Sequence, residues 1–375
     1  MRILTVDLTF NPYGGSYNYS KAFLDSVDLY DFDKVIIFTT RNNLLLFNNP
    51  KNSKIIFKVS RISSLSNIFR MFWVQLCLPF LLYWYRSSVL FSLGNYSPIL
   101  CFTKKVHVIH TIGPFEKNFY KNFKFHEKLQ LFMNKILIVA SSLNCKKIIF
   151  FSEYTKNLFI NSFPIKPNQC EVIKLGKDPF FRHITNNLPR EFESKQRFIL
   201  NVSHVYPYKN LETFFDAFNH ISDKDIQLVI AGKLINKHYQ NFLHSKLENL
   251  GLETRVTFIG EQSKHQLRLL YSSCNIFVFT SPFENYPHIL NEAMACGAPI
   301  VSTNSTSMPE ACGEAALYFN PFSSQDLAAK IDSILSNEDL RSVLVKKSLK
   351  QAESLESKID IQKKTSMLIN NISSI

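Results

Sequence analysis

The chain has 375 residues, long for a single hydrophobic core and suited to two domains of ordinary size. With 46% hydrophobic and 19% charged residues it reads as folded and globular, which excludes a disordered or fibrous chain. Its formal charge of +13 belongs wholly to one half: residues 1–180 hold 23 Lys and Arg against 10 Asp and Glu, and residues 181–375 hold 20 of each. That asymmetry asks for an anionic partner of the first half: nucleic acid, anionic lipid or a phosphorylated substrate.

The first apolar run, ILTVDL (3–8), carries Asp7 and is predicted to be a strand, not a signal peptide. It is followed by KVIIFTT (34–40), KIIFKV (54–59), SVLFSL (88–93), KVHVIHT (105–111) and KKIIFFS (146–152). The second half repeats the rhythm with RFILNVS (197–203), QLVIAG (227–232), VTFIG (256–260), IFVFTS (276–281), APIVST (298–303) and ALYF (316–319). Continuous apolar strands alternating with helical stretches predict parallel sheets covered on both faces, hence two doubly wound α/β domains. The segment 175–196, with Pro179, Pro189 and Asn186-Asn187, has neither period and is read as the linker. From about 338 onward the composition is helical.

The longest apolar stretch, 71–85, is interrupted by Gln75 and Pro79 and is shorter than the roughly 20 residues a bilayer needs. We read it as a buried helix in preference to a membrane-dipping one. The seven cysteines form no CxxC pair and suit buried thiols in a reducing compartment.

Four segments follow predicted strands, where ligands of open α/β sheets bind. Gly14-Gly15 lies between the first strand and a helix opened near Ser16. Glycines allow close backbone approach and a helix N-terminus favours an anion, although such turns are common without either use. His110 ends its strand ahead of Gly113-Pro114; it could bond a sugar hydroxyl or move a proton, or be a plain loop histidine. His107 reads as a strand residue. Lys209 precedes a helix capped by Asn210, with His204 five residues earlier, a pairing suited to a diphosphate or to a solvated turn. In SPFENYPHILNEAMACGAPIVS (281–302), Glu284 and Glu292 enclose seven residues in an otherwise uncharged stretch. A carboxylate can accept both hydroxyls of a ribose diol. A helix-dipole acid would explain one glutamate and not two.

With these residues the sequence resembles the retaining, nucleotide-sugar-dependent glycosyltransferases of family 4. Their hallmark is an E-x7-E motif, matched by Glu284 and Glu292. The resemblance extends in order through SEYTKN (152–157), the Lys209-Asn210 turn, IAGK (230–233) and MPEACGEAALYFNP (308–321). It implies the GT-B architecture, two facing Rossmann-like doubly wound domains with a cleft between them. The domains would be an acceptor-side one at 1–180 and a nucleotide-sugar-binding one at 190–350, with a C-terminal helix at about 355–375 packing back on the first.

The same resemblance implies the residue roles. Glu292 would hold the donor ribose. Glu284, with the backbone of Asn285, Tyr286 and Pro287, would face the donor sugar and its phosphate. Lys209, seconded by His204, would neutralise the diphosphate, His110 would contact the sugar near the reacting carbon, and Gly14 and Gly15 would lie under phosphate and acceptor. His110 and Glu284 would be the catalytic pair. His204 stands where the family usually has arginine, Asn-Tyr-Pro replaces a frequent Gly-Phe-Gly, and Thr111 replaces a frequent aspartate. Sugar specificity therefore cannot be carried over.

The expected reaction moves a hexose-type sugar from a nucleotide-diphosphate donor to a lipid-linked or growing surface glycan, without a cofactor. No metal is expected, because Asp31-x-Asp33 and Asp223-x-Asp225 precede their strands, at the edge away from the ligand crevice. Lys117, Lys121, Lys124 and Lys128 fall on one stripe if 115–132 is helical. Such a stripe suits an anionic membrane surface, here the inner face of the cytoplasmic membrane, or simple solvation. The acceptor partner would be a glycan, polyprenyl-diphosphate-linked or otherwise. A sugar-nucleotide epimerase on the same fold, and a nucleic-acid-binding protein lacking any recognisable motif, are the rival readings.

Overall fold

Among the described residues thirteen strands pair in parallel, in two separate sheets. The computed structural model of the chain describes all residues except 13, 48–51, 117, 121, 122, 124, 185–196 and 375. The expected linker thus lies partly outside the described residues. By their contacts the residues divide into two units, one holding the chain up to about Leu175 together with Lys358 onward, the other Gly176–Ser357.

In the first unit, β1 (Ile3–Leu8), β2 (Lys34–Thr39), β3 (Ile55–Val59), β4 (Val89–Ser92), β5 (Lys104–Val108), β6 (Lys147–Phe150) and β7 (Cys170–Val172) lie in the order β3-β2-β1-β4-β5-β6-β7. In the second, β8 (Phe198–Val202), β9 (Gln227–Ala231), β10 (Val256–Gly260), β11 (Ile276–Phe279), β12 (Ile300–Thr303) and β13 (Ala316–Phe319) lie in the order β10-β9-β8-β11-β12-β13. Both orders reverse direction beside the first strand of the unit, between β1 and β4 and between β8 and β11. At such a switch point neighbouring crossovers diverge to opposite faces and leave a crevice at the carboxyl edge.

The strands are apolar because both faces are covered. In the second unit Leu228, Ile230, Ile276 and Val278 are fully buried against Phe214, Phe215 and Phe218 of the helix Leu211–His220. In the first unit one face of the sheet, through Ile3, Ile36, Phe38, Leu90, Ile148 and Phe150, forms a single cluster with Trp73, Val74, Leu78, Leu82, Leu137 and Ile138. The helix Lys358–Ser374 packs on the helix Gly15–Asp25 and on β4 and β5, where Tyr30 donates to Gln362 Oε1 at 3.2 Å.

Several expectations need correction. β7 was absent from the sequence reading, since a three-residue edge strand containing Glu171 shows no pattern to detect. The expected strand 276–281 stops at Phe279, because the Thr280 and Ser281 hydroxyls bond to loop groups and turn the chain out of the ladder. The stretch 71–85 is not a wholly buried helix. It belongs to a helical run made of Asn67–Phe72, a π turn at Trp73–Cys77, and Leu78–Trp84. Trp73, Val74, Leu78 and Leu82 face the core, whereas Leu76, Phe80, Tyr83 and Trp84 are exposed.

The lysine stripe is not helical along its length either, since the helix begins only at Phe125. Ahead of it the chain folds back, with Tyr120 donating to the Pro114 carbonyl at 2.8 Å and the Phe119 ring against Gly113. Lys117, Lys121 and Lys124 lie outside the described residues, and Lys128 alone of the four sits on the helix. Among the described residues no helix is long and apolar enough to cross a membrane, and the seven cysteines are unbridged.

Candidate functional site

The second unit gathers its candidate residues at the switch point, on the loops that leave β8 and β11. After β8, His204 is partly buried and its Nδ1 accepts the Lys233 backbone N–H at 3.3 Å. The ring proton of the neutral form therefore sits on Nε2. Burial, then the charge of Lys209, lowers the His204 pKa; Glu261 opposes this and Lys233 adds a smaller lowering. At neutral pH His204 is an uncharged N–H donor, not a second cation.

The turn Pro207–Lys209 ends at Asn210, which takes a left-handed conformation with φ of 59°. Asparagine tolerates this conformation better than most side chains. Here it is anchored by its own amide, which donates to the Pro321 carbonyl at 2.6 Å and accepts from Thr213 at 2.7 Å. This sharp corner delivers Lys209 to the N-terminus of the helix Leu211–His220.

After β11, Thr280 donates to the Lys209 carbonyl at 2.7 Å, tying the two loops together. Lys209 Nζ forms an ion pair with Glu284 Oε1, the same oxygen that accepts from the Ser281 hydroxyl at 2.9 Å. Burial works to lower the Lys209 pKa, but the Glu284 carboxylate and then the Tyr208 side chain overcome it and hold the ammonium above its ordinary value. The ammonium also lies 4.7 Å from the centroid of Tyr208. The Glu284 backbone is held by Ser307, which donates to its carbonyl at 3.1 Å, and by Thr306, which accepts from its N–H at 3.4 Å.

Asn285 and Tyr286 are buried beyond it, and burial raises the Tyr286 hydroxyl pKa. Pro287 then caps the helix His288–Ala295. Glu292, one turn in, accepts from the Tyr271 hydroxyl at 3.4 Å. Tyr271 is fully buried, and that burial, with Glu292 beside it, lifts its pKa well above normal, so it stays a donor.

In the first unit, Gly14 and not Ser16 opens the helix after β1. Its φ of 54° with ψ of −125° lies in a region open to glycine alone, and Asn18 N–H bonds its carbonyl at 3.1 Å. Gly15 is the first helical residue. His110 lies two residues beyond β5, its N–H on Asn95 Oδ1 at 3.2 Å and its ring among Phe10, Tyr19 and Phe151.

His204, Lys209, Glu284 and Glu292 thus share the carboxyl edge of one sheet, with Asn285, Tyr286 and Pro287 between the two glutamates. Gly14, Gly15 and His110 share that of the other. Asp31 and Asp223 instead bind Arg2 and Arg197, at 2.5 Å and 2.7 Å. Sequence reasoning missed Ser281, Thr306 and Ser307, which brace Glu284, and Tyr271, which braces Glu292. The polar run NSTS after β12 was the one available signal. Nothing in a buried helical tyrosine marks it from sequence alone.

Residues 185–351 match the family described as glycosyl transferases group 1. The chain carries a glycosyl transferase group 1 domain. That domain contains His204, Lys209, Glu284 and Glu292. The chain is 24% identical over 262 residues to the O-antigen chain mannosyltransferase RfbU of Salmonella typhimurium, covering 67% of this chain and 69% of that protein. It is 25% identical over 221 residues to the serotype-specific mannosyltransferase WbdA of Escherichia coli. That match covers 56% of this chain and 26% of WbdA, so the chain spans about a quarter of the length of that relative. In fold it is similar to Anabaena HepE in complex with UDP-glucose, with a TM-score of 0.76 at 16% identity over 99% of this chain and 100% of that one. The fold of the chain is that of GT-B proteins, with one doubly wound parallel sheet in each unit.

Proposed function

We propose that this protein is a metal-independent, retaining glycosyltransferase. It moves a hexose from a nucleoside-diphosphate sugar to a lipid-linked or growing surface glycan, at the inner face of the cytoplasmic membrane. The observation that carries the reading is the meeting of Lys209, Glu284 and Glu292 at the β8/β11 switch point. One side of that point supplies an ammonium at a helix N-terminus, and the other supplies carboxylates along a second helix N-terminus.

Breaking the anomeric bond leaves a diphosphate with an added negative charge. Lys209, the Nε2–H of neutral His204 and the amino ends of the helices Leu211–His220 and His288–Ala295 stabilise that charge. The Glu292 carboxylate accepts the ribose hydroxyls and fixes the nucleoside. Glu284 and the Asn285–Pro287 backbone then face the sugar. RfbU, named an O-antigen chain mannosyltransferase, supports the acceptor class.

A thermal-shift panel of nucleotide sugars tests this, run on the wild type and on Glu292→Ala. One donor should raise the melting temperature of the wild type and leave the variant unmoved. Stabilisation by none, or equal stabilisation of both, overturns the reading.

A further inference from the structure

We infer that the outward faces of the helical segments 62–84 and 125–136 form a surface by which the first unit docks on an anionic lipid bilayer. The first segment buries Trp73, Val74, Leu78 and Leu82, and the helix that begins with the second buries Leu137 and Ile138 just beyond it, in the same cluster on one face of the seven-stranded sheet. Their opposite faces should be polar if water were the only neighbour. They are not.

On the first segment Leu65, Phe69, Phe72, Leu76, Phe80 and Trp84 follow one another at spacings of three and four, and every one is exposed. The five-residue π turn at Trp73–Cys77 keeps this stripe in line across a spacing of four followed by four. On the second segment Phe125, Leu129, Phe132 and Ile136 repeat the pattern, again exposed. Two exposed apolar stripes of this length mark an interaction site, not scattered surface residues.

Charge identifies the occupant. Residues 34–115, which contain the whole first segment, hold ten Lys and Arg and no Asp or Glu. Arg61 and Arg86 bracket the apolar stripe, and both are exposed, as are Arg41 and Lys58 nearby in sequence. A second copy of the chain, meeting this surface across a two-fold axis, would set these cations against themselves. A bilayer with anionic headgroups accepts the aromatic side chains at the interface and pairs with the cations around them. Tyr83 and Trp84, at the end of the stripe, are the residue types that favour that boundary. The inference takes from the transferase reading only the reason a membrane is needed, a lipid-linked acceptor. The surface stands on its own residues.

The chain's two tryptophans make the test direct, since Trp73 is buried and Trp84 is 69% exposed. The full-length protein is floated with vesicles of phosphatidylcholine alone and of phosphatidylcholine with phosphatidylglycerol, and Trp emission is followed with brominated lipid as quencher. The wild type should float with the anionic vesicles, with Trp84 emission shifted to the blue and quenched. The triple variant Phe72→Ser/Phe80→Ser/Trp84→Ser should bind about a hundredfold more weakly. No binding by the wild type, a bound protein whose Trp84 stays in water, or wild-type binding by a folded triple variant would each overturn the proposal. So would a concentration-dependent dimer that shields Trp84 without lipid. The emission of the wild type decides the matter even if the variant fails to fold. The outcome is also separate from the donor panel: Trp84 in lipid with no donor bound sinks the transferase reading alone, and the converse sinks the docking surface alone.

Discussion

Lys209 and Glu284 are paired between the loops that leave β8 and β11, and the β11 loop braces both: Thr280 donates to the Lys209 carbonyl and Ser281 to the Glu284 carboxylate. Both side chains are largely shielded, at 12% and 19% exposure, so removing one leaves a poorly solvated charge behind. Glu284→Gln is expected to cost about 2–3 kcal/mol in urea unfolding. The double variant Lys209→Met/Glu284→Gln should regain part of that stability, because no charge is then stranded. Donor binding should separate the roles. Lys209→Met should weaken it by about a hundredfold, and the double variant should not restore it, because the diphosphate has lost its cation. A double variant that binds donor like the wild type would reduce the pair to a structural clasp.

Glu292 and Tyr271 invite a different test, because the tyrosine touches the carboxylate from the protein side. Glu292→Ala removes both acceptors for the ribose and should raise the donor dissociation constant about a hundredfold. Tyr271→Phe deletes one hydroxyl that acts through Glu292 and should cost about 1 kcal/mol of stability. Its effect on the donor should fall on binding and not on turnover. Isothermal titration beside steady-state kinetics distinguishes the two.

Much of this was legible in the sequence, for a physical reason. Parallel strands covered on both faces must be apolar throughout, so ILTVDL, VTFIG and ALYF declare their bounds without help from partners. The loops carrying Lys209, Glu284 and Glu292 could be placed because ligands of such sheets bind past the strand ends. What escaped detection depends on contacts distant in sequence. Tyr271 meets Glu292 only once a helix is docked, and Thr306 meets Glu284 only once β12 lies beside β11. Lys209 and Glu284 were each assigned to the donor, and their pairing with each other needs the strand order. The helix through Trp73 was misjudged because apolar content does not say which residues face the core. Trp73 and Trp84 read alike in sequence, yet one is buried and the other exposed.

Gly232 sits where β9 ends against the loop of β8, with φ of 150° and its N–H on the Gly260 carbonyl at 2.7 Å. A Cβ there would fall 1.9 Å from the Ser203 carbonyl oxygen, a backbone atom that cannot step aside. Gly232→Ala is therefore expected to cost on the order of 3 kcal/mol or more and to displace His204, whose ring is held by the next residue, Lys233. Gly251→Ala is the control. Its φ is 63°, with nothing within 4 Å of the added carbon, so it should cost about 1 kcal/mol through backbone strain alone. Thermal melts of the two variants side by side would show the difference.

His107 sets an acid limit on the first unit. It is fully buried, with Nε2 3.2 Å from the Gly94 carbonyl, an acceptor that only a ring N–H can satisfy, and Nδ1 3.3 Å from the Ser142 hydroxyl. Burial, and then the nearby Lys105 ammonium, lower its pKa from 6.5 to about 3. The unfolded chain thus takes up a proton that the folded chain refuses, so this contribution to stability is complete above pH 6.5 and is lost as the pH falls toward 3. At 1.36 kcal/mol per pKa unit, this one group should account for about 3 kcal/mol of lost stability between pH 6.5 and roughly pH 4. His107→Gln can still donate to Gly94 but cannot titrate. It should be less stable than the wild type at neutral pH and show a shallower decline below pH 6.5. Urea unfolding across this range checks it, and parallel stability curves for the two proteins would remove His107 as the source of the slope.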